Sequence, residues 1–171
     1  MFFLIILTLL LIQRLTELFI ARQNERWMLQ HGAIIYGQSH YPYMILLHVG
    51  FFLFFTVEVV ISGQRPARFW PIFLSVFFLL QFARYWVIIS LGKYWNTKII
   101  VLPNAALIRK GPFRFIKHPN YMIVTLELLV VPLMFQAYIT AILFFFLNQW
   151  MLFIRIRKED QALQQNLAGN K

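Results

Sequence analysis

Residues Tyr121–Ile154 read YMIVTLELLVVPLMFQAYITAILFFFLNQWMLFI, and Glu127 is the one charged side chain in the run. At about 1.5 Å of rise per residue, the run is too long for one membrane crossing. It is just long enough for two of roughly 17 residues each. Pro132 is the expected breaker, because proline removes a helical N–H and clashes with the preceding turn. The spacing predicts spans over 121–136 and 139–154, with the turn near Gln136–Thr140. One long kinked helix is the alternative.

The rest of the chain repeats the pattern. Further apolar runs cover 2–20, 42–62 and 69–91. The 171 residues are 60% hydrophobic and 13% charged, where soluble domains sit near roughly 45–50% and 25%. This excludes disorder, a coiled coil and an ordinary soluble globule. It implies one all-α polytopic membrane domain over 1–171, with about five transmembrane helices. The N-terminal Met1-Phe2-Phe3 lacks a basic n-region, so 2–20 reads as a span and not as a cleaved signal. There is no cysteine, which removes disulfides, thiolate metal sites and cysteine nucleophiles.

The net charge of +10 is read as topology and not as nucleic-acid binding, because the basic residues fall between the apolar runs. Lys93, Lys98, Arg109, Lys110, Arg114 and Lys117 lie in the 91–120 segment. Arg22 and Arg26 lie in the 21–41 loop, and Arg155, Arg157, Lys158 and Lys171 in the tail. Five spans place all of these on one side and leave Arg65 and Arg68 opposite. The expected orientation is N-terminus out and C-terminus in. Residues 155–168 alternate as a short amphipathic helix at the inner interface.

Ionisable groups inside a bilayer cost about 2.5–3.5 kcal/mol each on insertion scales, so each needs an account. Arg14 and Glu17 are spaced to neutralise each other. Glu58 near a span end reads as structural. His48 lies one turn inside the second span, where a hydrogen bond to a neighbouring helix is the plainer reading. Arg84 and Gln81 face inward and suit a carboxylate partner. Glu127 is too deep to reach water easily and needs Arg84, another cation or a polar ligand. Neither dinucleotide nor phosphate-loop motifs are present. His118 with His40 or His48 has no metal-ligand spacing.

Two segments carry more. Gly111-Pro112-Phe113-Arg114-Phe115-Ile116-Lys117-His118-Pro119-Asn120-Tyr121 places a restricted turn, a His and a Tyr at the mouth of a span. Such a break leaves helix N-terminal amides to hold an anionic group. Arg155-Ile156-Arg157-Lys158-Glu159-Asp160-Gln161-Ala162-Leu163 puts Arg155 and Glu159 one turn apart on one face. A cation and an anion there suit a zwitterionic amino-acid ligand or an anionic substrate. A capped span entry and a solvated juxtamembrane helix are the bland alternatives.

Together with Leu91-Gly92-Lys93-Tyr94-Trp95, these segments resemble the isoprenylcysteine carboxyl methyltransferase family of integral membrane methyltransferases. The resemblance covers the C-terminal half. It implies a cytosol-facing pocket for S-adenosylmethionine within 91–121 and the tail. His118, Pro119 and Tyr121 match the cofactor-binding turn, Glu159 a cofactor-contacting acid and Arg155 the catalytic arginine. Leu107 joins the expected cofactor contacts. Two positions depart from the family pattern: Ile123 stands where the family usually has Gly, and Asp160 replaces a second Glu.

Arg22-Gln23-Asn24-Glu25-Arg26-Trp27, Gly37-Gln38-Ser39-His40-Tyr41-Pro42 and Asn120-Tyr121…Leu126-Glu127 look like a bacterial subgroup associated with type III polyketide synthases. That likeness implies O-methylation of long-chain alkylpyrones or related phenolic lipids. Glu127 is the second expected catalytic residue. His40, His48, Arg84 and Trp95 are the expected substrate-binding residues.

The chemistry suits these residues. Methyl transfer from a sulfonium to a carboxylate or a hydroxypyrone enol needs no strong base, only a positioned oxyanion and excluded water. Arg155 can orient that oxyanion. The expected partners are a lipid-like small molecule and membrane lipids, with no nucleic acid. Rival readings are a prenylcysteine-type carboxyl methyltransferase, a lipid N-methyltransferase, a membrane scaffold and a haem-binding protein.

Overall fold

The computed structural model describes residues 1–63, 65–103, 105 and 108–168. Among them are five α-helices: α1 (Phe2–Gln30), α2 (Tyr41–Ile61), α3 (Trp70–Leu91), α4 (Pro119–Met134) and α5 (Tyr138–Ala168). Two short strands, β1 (Ile34–Tyr36) and β2 (Ile99–Val101), complete the framework. Four helices (all but α4) are long and apolar enough to cross a membrane. The 16-residue α4 spans about 24 Å, somewhat short of a perpendicular crossing. Large apolar side chains such as Leu46, Leu79, Phe82 and Ile89 remain exposed on the helices, as a hydrocarbon solvent permits. The chain is a membrane protein. It divides into two compact units, one of Tyr43–Ser90 with Arg109–Leu152, the other of Met1–Pro42, Leu91–Ile108 and Phe153–Lys171.

In the first unit α2, α4 and the beginning of α5 pack through aromatic and aliphatic side chains. Phe51 of α2, Val124 and Leu128 of α4 and Phe144 of α5 form one buried cluster. The Phe51 and Phe144 rings meet edge to face at 5.5 Å. The apolar stretch divides into two helices at Phe135–Ala137. Pro132 does not itself end α4, which continues to Met134. The stop is a left-handed cap. Gln136 has φ of 59°, its N–H donates to the Leu133 carbonyl, and the Ala137 N–H donates to the Pro132 carbonyl at 3.0 Å. This reciprocal pattern satisfies carbonyls that a helix end leaves open.

The start of α5 is satisfied by a remote acid. Glu58 accepts hydrogen bonds from the Ile139 N–H at 3.0 Å, the Thr140 N–H at 2.7 Å and Thr140 Oγ1 at 2.5 Å. A carboxylate at a helix N-terminus fills orphan donors and complements the helix dipole. Glu58→Ala is expected to destabilise the protein by about 1–2 kcal/mol, read as a lower Tm in detergent. An unchanged Tm would mean that the cap contributes nothing.

In the second unit, α1 runs ten residues past the expected span end, so Arg22 and Arg26 lie on helix and not in a loop. The extension has partners that hydropathy cannot show. Asn24 Nδ2 donates to the carbonyls of Gly92 and Trp95 at 3.1 and 2.8 Å, and Asn96 Nδ2 donates to the Ala21 carbonyl. Glu25 pairs with Lys98 at 2.6 Å. Gly32, at φ of 85°, caps the helix, and the chain turns into β1. Antiparallel pairing then sets Ile34 opposite Val101 and Tyr36 opposite Ile99. Ala162 and Leu163 of α5 pack on this pair. The tail is therefore continuous with α5 and not a separate helix. The all-α expectation stands apart from this small sheet.

Candidate functional site

The expected site residues fall in both units, and each group has its own construction. In the first unit, the chain reaches α4 through a tight turn at Gly111–Arg114. Gly111 has φ of 58°, and a β-carbon there would lie 2.2 Å from Ser90 Oγ. Only glycine allows this backbone to close on α3. His118 then caps α4, with Pro119 at the first helical position, a place where the missing N–H costs nothing. The His118 and Tyr121 rings stack at 5.1 Å. Between them in sequence, Asn120 has a buried Oδ1 with no hydrogen-bond partner. An acceptor in that state calls for a donor-bearing ligand or water.

Deeper in the same unit, Glu127 is 3% exposed and Arg84 1%. Arg84 Nε donates to Glu127 Oε1 at 3.1 Å, its Nη2 contacts Oε2, and Gln81 Nε2 donates to Oε1 at 2.9 Å. Both carboxylate oxygens are thus engaged, and the pair joins α3 to α4. Two residues before Glu127, Thr125 Oγ1 accepts from Asn148 Nδ2 at 2.9 Å and Gln149 Nε2 at 3.2 Å. His48 Nδ1 lies 2.8 Å from the Met44 carbonyl of its own helix.

In the second unit, Arg155 is 7% exposed. Glu159 follows one turn later and is half-buried. Beyond it Ala162 is buried against Ile99 and Val101, which fixes the rotation of this end of α5. Arg155 and Lys158 both act electrostatically on His40. Lys158 Nζ also donates to Ser39 Oγ at 3.0 Å. Trp95 is buried, with its carbonyl held by Asn24. Leu107 lies outside the described residues.

The structure therefore brings together Glu127 with Arg84 and His118 with Tyr121, and the Arg155 charge is felt at His40. Sequence reasoning did not single out Asn120 or Ser39 individually, and it read Lys158 only as a topology-setting charge of the tail helix. Asn120 and Ser39 sat inside quoted motifs, but only tertiary contacts distinguish them from their neighbours.

Comparison with known proteins adds the chemistry. Residues 72–165 match the model of the isoprenylcysteine carboxyl methyltransferase (ICMT) family. The chain is 47% identical over 163 residues to the uncharacterized protein YpbQ of Bacillus subtilis, covering 95% of this chain and 97% of that one. It is 27% identical over 151 residues to an uncharacterized protein of Haemophilus influenzae, covering 88% of each. No solved structure matches. The matched region runs from α3 through α4 to the Arg155–Glu159 face, and the chain belongs to the ICMT family of membrane methyltransferases.

Proposed function

We propose that the protein transfers a methyl group from S-adenosylmethionine to an acidic oxygen of a lipid-like acceptor at the inner face of a bacterial cytoplasmic membrane. The acceptor oxygen is an enol, phenol or carboxylate, with alkylpyrones as the favoured class. The observation that carries this reading is the buried guanidinium of Arg155, one helix turn from Glu159, in a chain of a methyltransferase family.

The residues present fit the cofactor. Asn120 offers a buried acceptor beside the stacked His118 and Tyr121 rings, which suits the amino groups of an adenosyl amino acid. In the other unit, the family resemblance assigns Glu159 as a cofactor-contacting acid. When bound, S-adenosylmethionine supplies a methyl group already activated for attack. The protein's part is to orient and to exclude water. Arg155 holds the acceptor oxyanion through charge-assisted hydrogen bonds. His118, Pro119 and Tyr121 shape the cofactor's seat. The engagement of both Glu127 oxygens favours a positioning role, in which the Arg84 pair fixes α3 against α4 beneath the turn. The apolar helix faces accommodate the acceptor's tail. The basic-residue asymmetry favours N-terminus out and C-terminus in, with α4 crossing despite its length.

Calorimetry of S-adenosylhomocysteine binding to the detergent-solubilised protein tests the reading. Wild type is expected to bind, and Glu159→Ala to bind at least about tenfold more weakly, as loss of a charged hydrogen bond of roughly 1.5–3 kcal/mol implies. If wild type does not bind, the proposal is wrong.

A further inference from the structure

The turn at Gly111–Arg114 and the residues just after it carry an unusual surface in the first unit. Phe115 is 79% exposed, and Ile116 beside it is exposed as well. Neither lies on a spanning helix, because both precede α4, which starts at Pro119. Around them Arg109, Lys110, Arg114 and Lys117 are all exposed. A single exposed apolar side chain is ordinary. Here, however, the backbone holds the ring outward. Pro112 is buried beneath the turn, and its carbonyl accepts from the N–H groups of Phe115 and Ile116, each at 3.1 Å. Gly111 closes against Ser90, so the turn is fixed to the end of α3.

The positive charge has no counterweight nearby in the chain. No acidic residue occurs between Glu58 and Glu127. These two are the acids of the first unit, and both are engaged elsewhere, Glu58 at the start of α5 and Glu127 with Arg84. Two observations set the depth of the turn. A β-carbon on Gly111 would lie 3.1 Å from Trp86 Nε1, so the turn sits beside an indole that is half exposed, next to an exposed Tyr85. Trp and Tyr concentrate where hydrocarbon meets headgroups. In addition, the 16-residue α4 is a short span, and short spans are met by local thinning of the bilayer and by their flanking residues. The turn therefore lies at headgroup level. There an exposed ring can enter the acyl boundary while basic side chains reach lipid phosphates.

We propose that this turn is a docking surface for anionic phospholipid of the surrounding bilayer, with Phe115 among the acyl chains and Lys110 and Arg114 on the lipid phosphates. Charge complementarity selects an anionic headgroup over a zwitterionic one, whose own ammonium would meet the same cations. The exposed ring selects a lipid over a free anion, which has no apolar part to receive it. The surface is independent of the methyltransferase reading, since it needs neither cofactor nor acceptor.

Native mass spectrometry of the detergent-solubilised full chain tests this, with phosphatidylglycerol and phosphatidylcholine titrated separately. A basic residue near an anionic lipid surface is worth roughly fivefold in affinity. Wild type is expected to bind phosphatidylglycerol at least about fivefold more tightly than phosphatidylcholine. Lys110→Gln combined with Arg114→Gln should bring the two lipids to within about twofold of each other. Arg65→Gln combined with Arg68→Gln removes the same charge from another exposed segment and should keep the preference. Depth is read separately. The chain has no cysteine, so Phe115→Cys carries a single bimane label. In phosphatidylglycerol vesicles a nitroxide on the upper acyl chain is expected to quench this label by at least about half, and aqueous acrylamide to quench it far less. Equal wild-type affinity for the two lipids would assign the patch to an acidic protein partner and overturn the proposal. So would a preference that survives in the Lys110 and Arg114 double variant, displacement of the lipid by inorganic phosphate, or a label open to acrylamide and untouched by the nitroxide.

Discussion

Arg155→Ala is expected to lower kcat by about 10²–10³-fold, the usual cost of removing a preorganised donor from a developing or reacting oxyanion. S-adenosylhomocysteine affinity should change by less than about threefold, because this variant leaves Glu159 and the His118–Tyr121 turn in place. The physical reason is burial. At 7% exposure the guanidinium acts where water screens little, so its interaction with a bound oxyanion is stronger than at a surface. Arg155→Lys should recover only part of the rate, since a point charge replaces a planar fork of donors. Single-turnover kinetics with a long-chain alkylpyrone, alongside calorimetry, separates the two effects. Cofactor affinity falling together with an unchanged kcat would sink the assignment and make Arg155 a cofactor residue.

The second large effect concerns the fold. Glu127→Ala leaves Arg84, which is 1% exposed, without its carboxylate. Breaking one side of a buried ion pair costs about 3–5 kcal/mol, a large part of the 5–15 kcal/mol that is typical of folded domains. The expected result is a Tm lower by about 10 °C and loss of monodisperse protein in detergent. The double variant Arg84→Met with Glu127→Leu removes both charges at similar volume and should restore stability to within roughly 1 kcal/mol. Turnover is expected to recover with the fold. A stable double variant without turnover would place Glu127 in the chemistry, and a single variant as stable as wild type would dismiss the pair's structural role.

The Arg84–Glu127 pair was legible in the sequence for a plain reason. Charges in hydrocarbon are expensive enough that each must find a partner, and few partners exist at that depth. The helices were legible because apolar runs are local sums. Other features were not. β1 and β2 are three residues each, too short to show alternation, and they pair across more than sixty intervening residues. The extension of α1 past Ile20 is polar, so hydropathy stops there while Asn24 and Glu25 carry the helix on through partners in the 92–98 segment. Glu58 looked structural from its depth, but its role as the cap of α5 depends on a contact 81 and 82 residues away.

The sequence by itself determined a polytopic membrane chain and the motifs of a methyltransferase. Hydropathy and short-range spacing act over one or two helix turns, and both are written in consecutive residues. Only the tertiary structure decided which polar atoms are satisfied. The family resemblance assigned His118 to the cofactor turn and His40 to substrate binding, and neither assignment specified a hydrogen-bond environment. Packing against Gly37 and the nearness of Arg155 and Lys158 set His40 apart, because hydrogen-bond partners and local field depend on groups that the chain order keeps far apart.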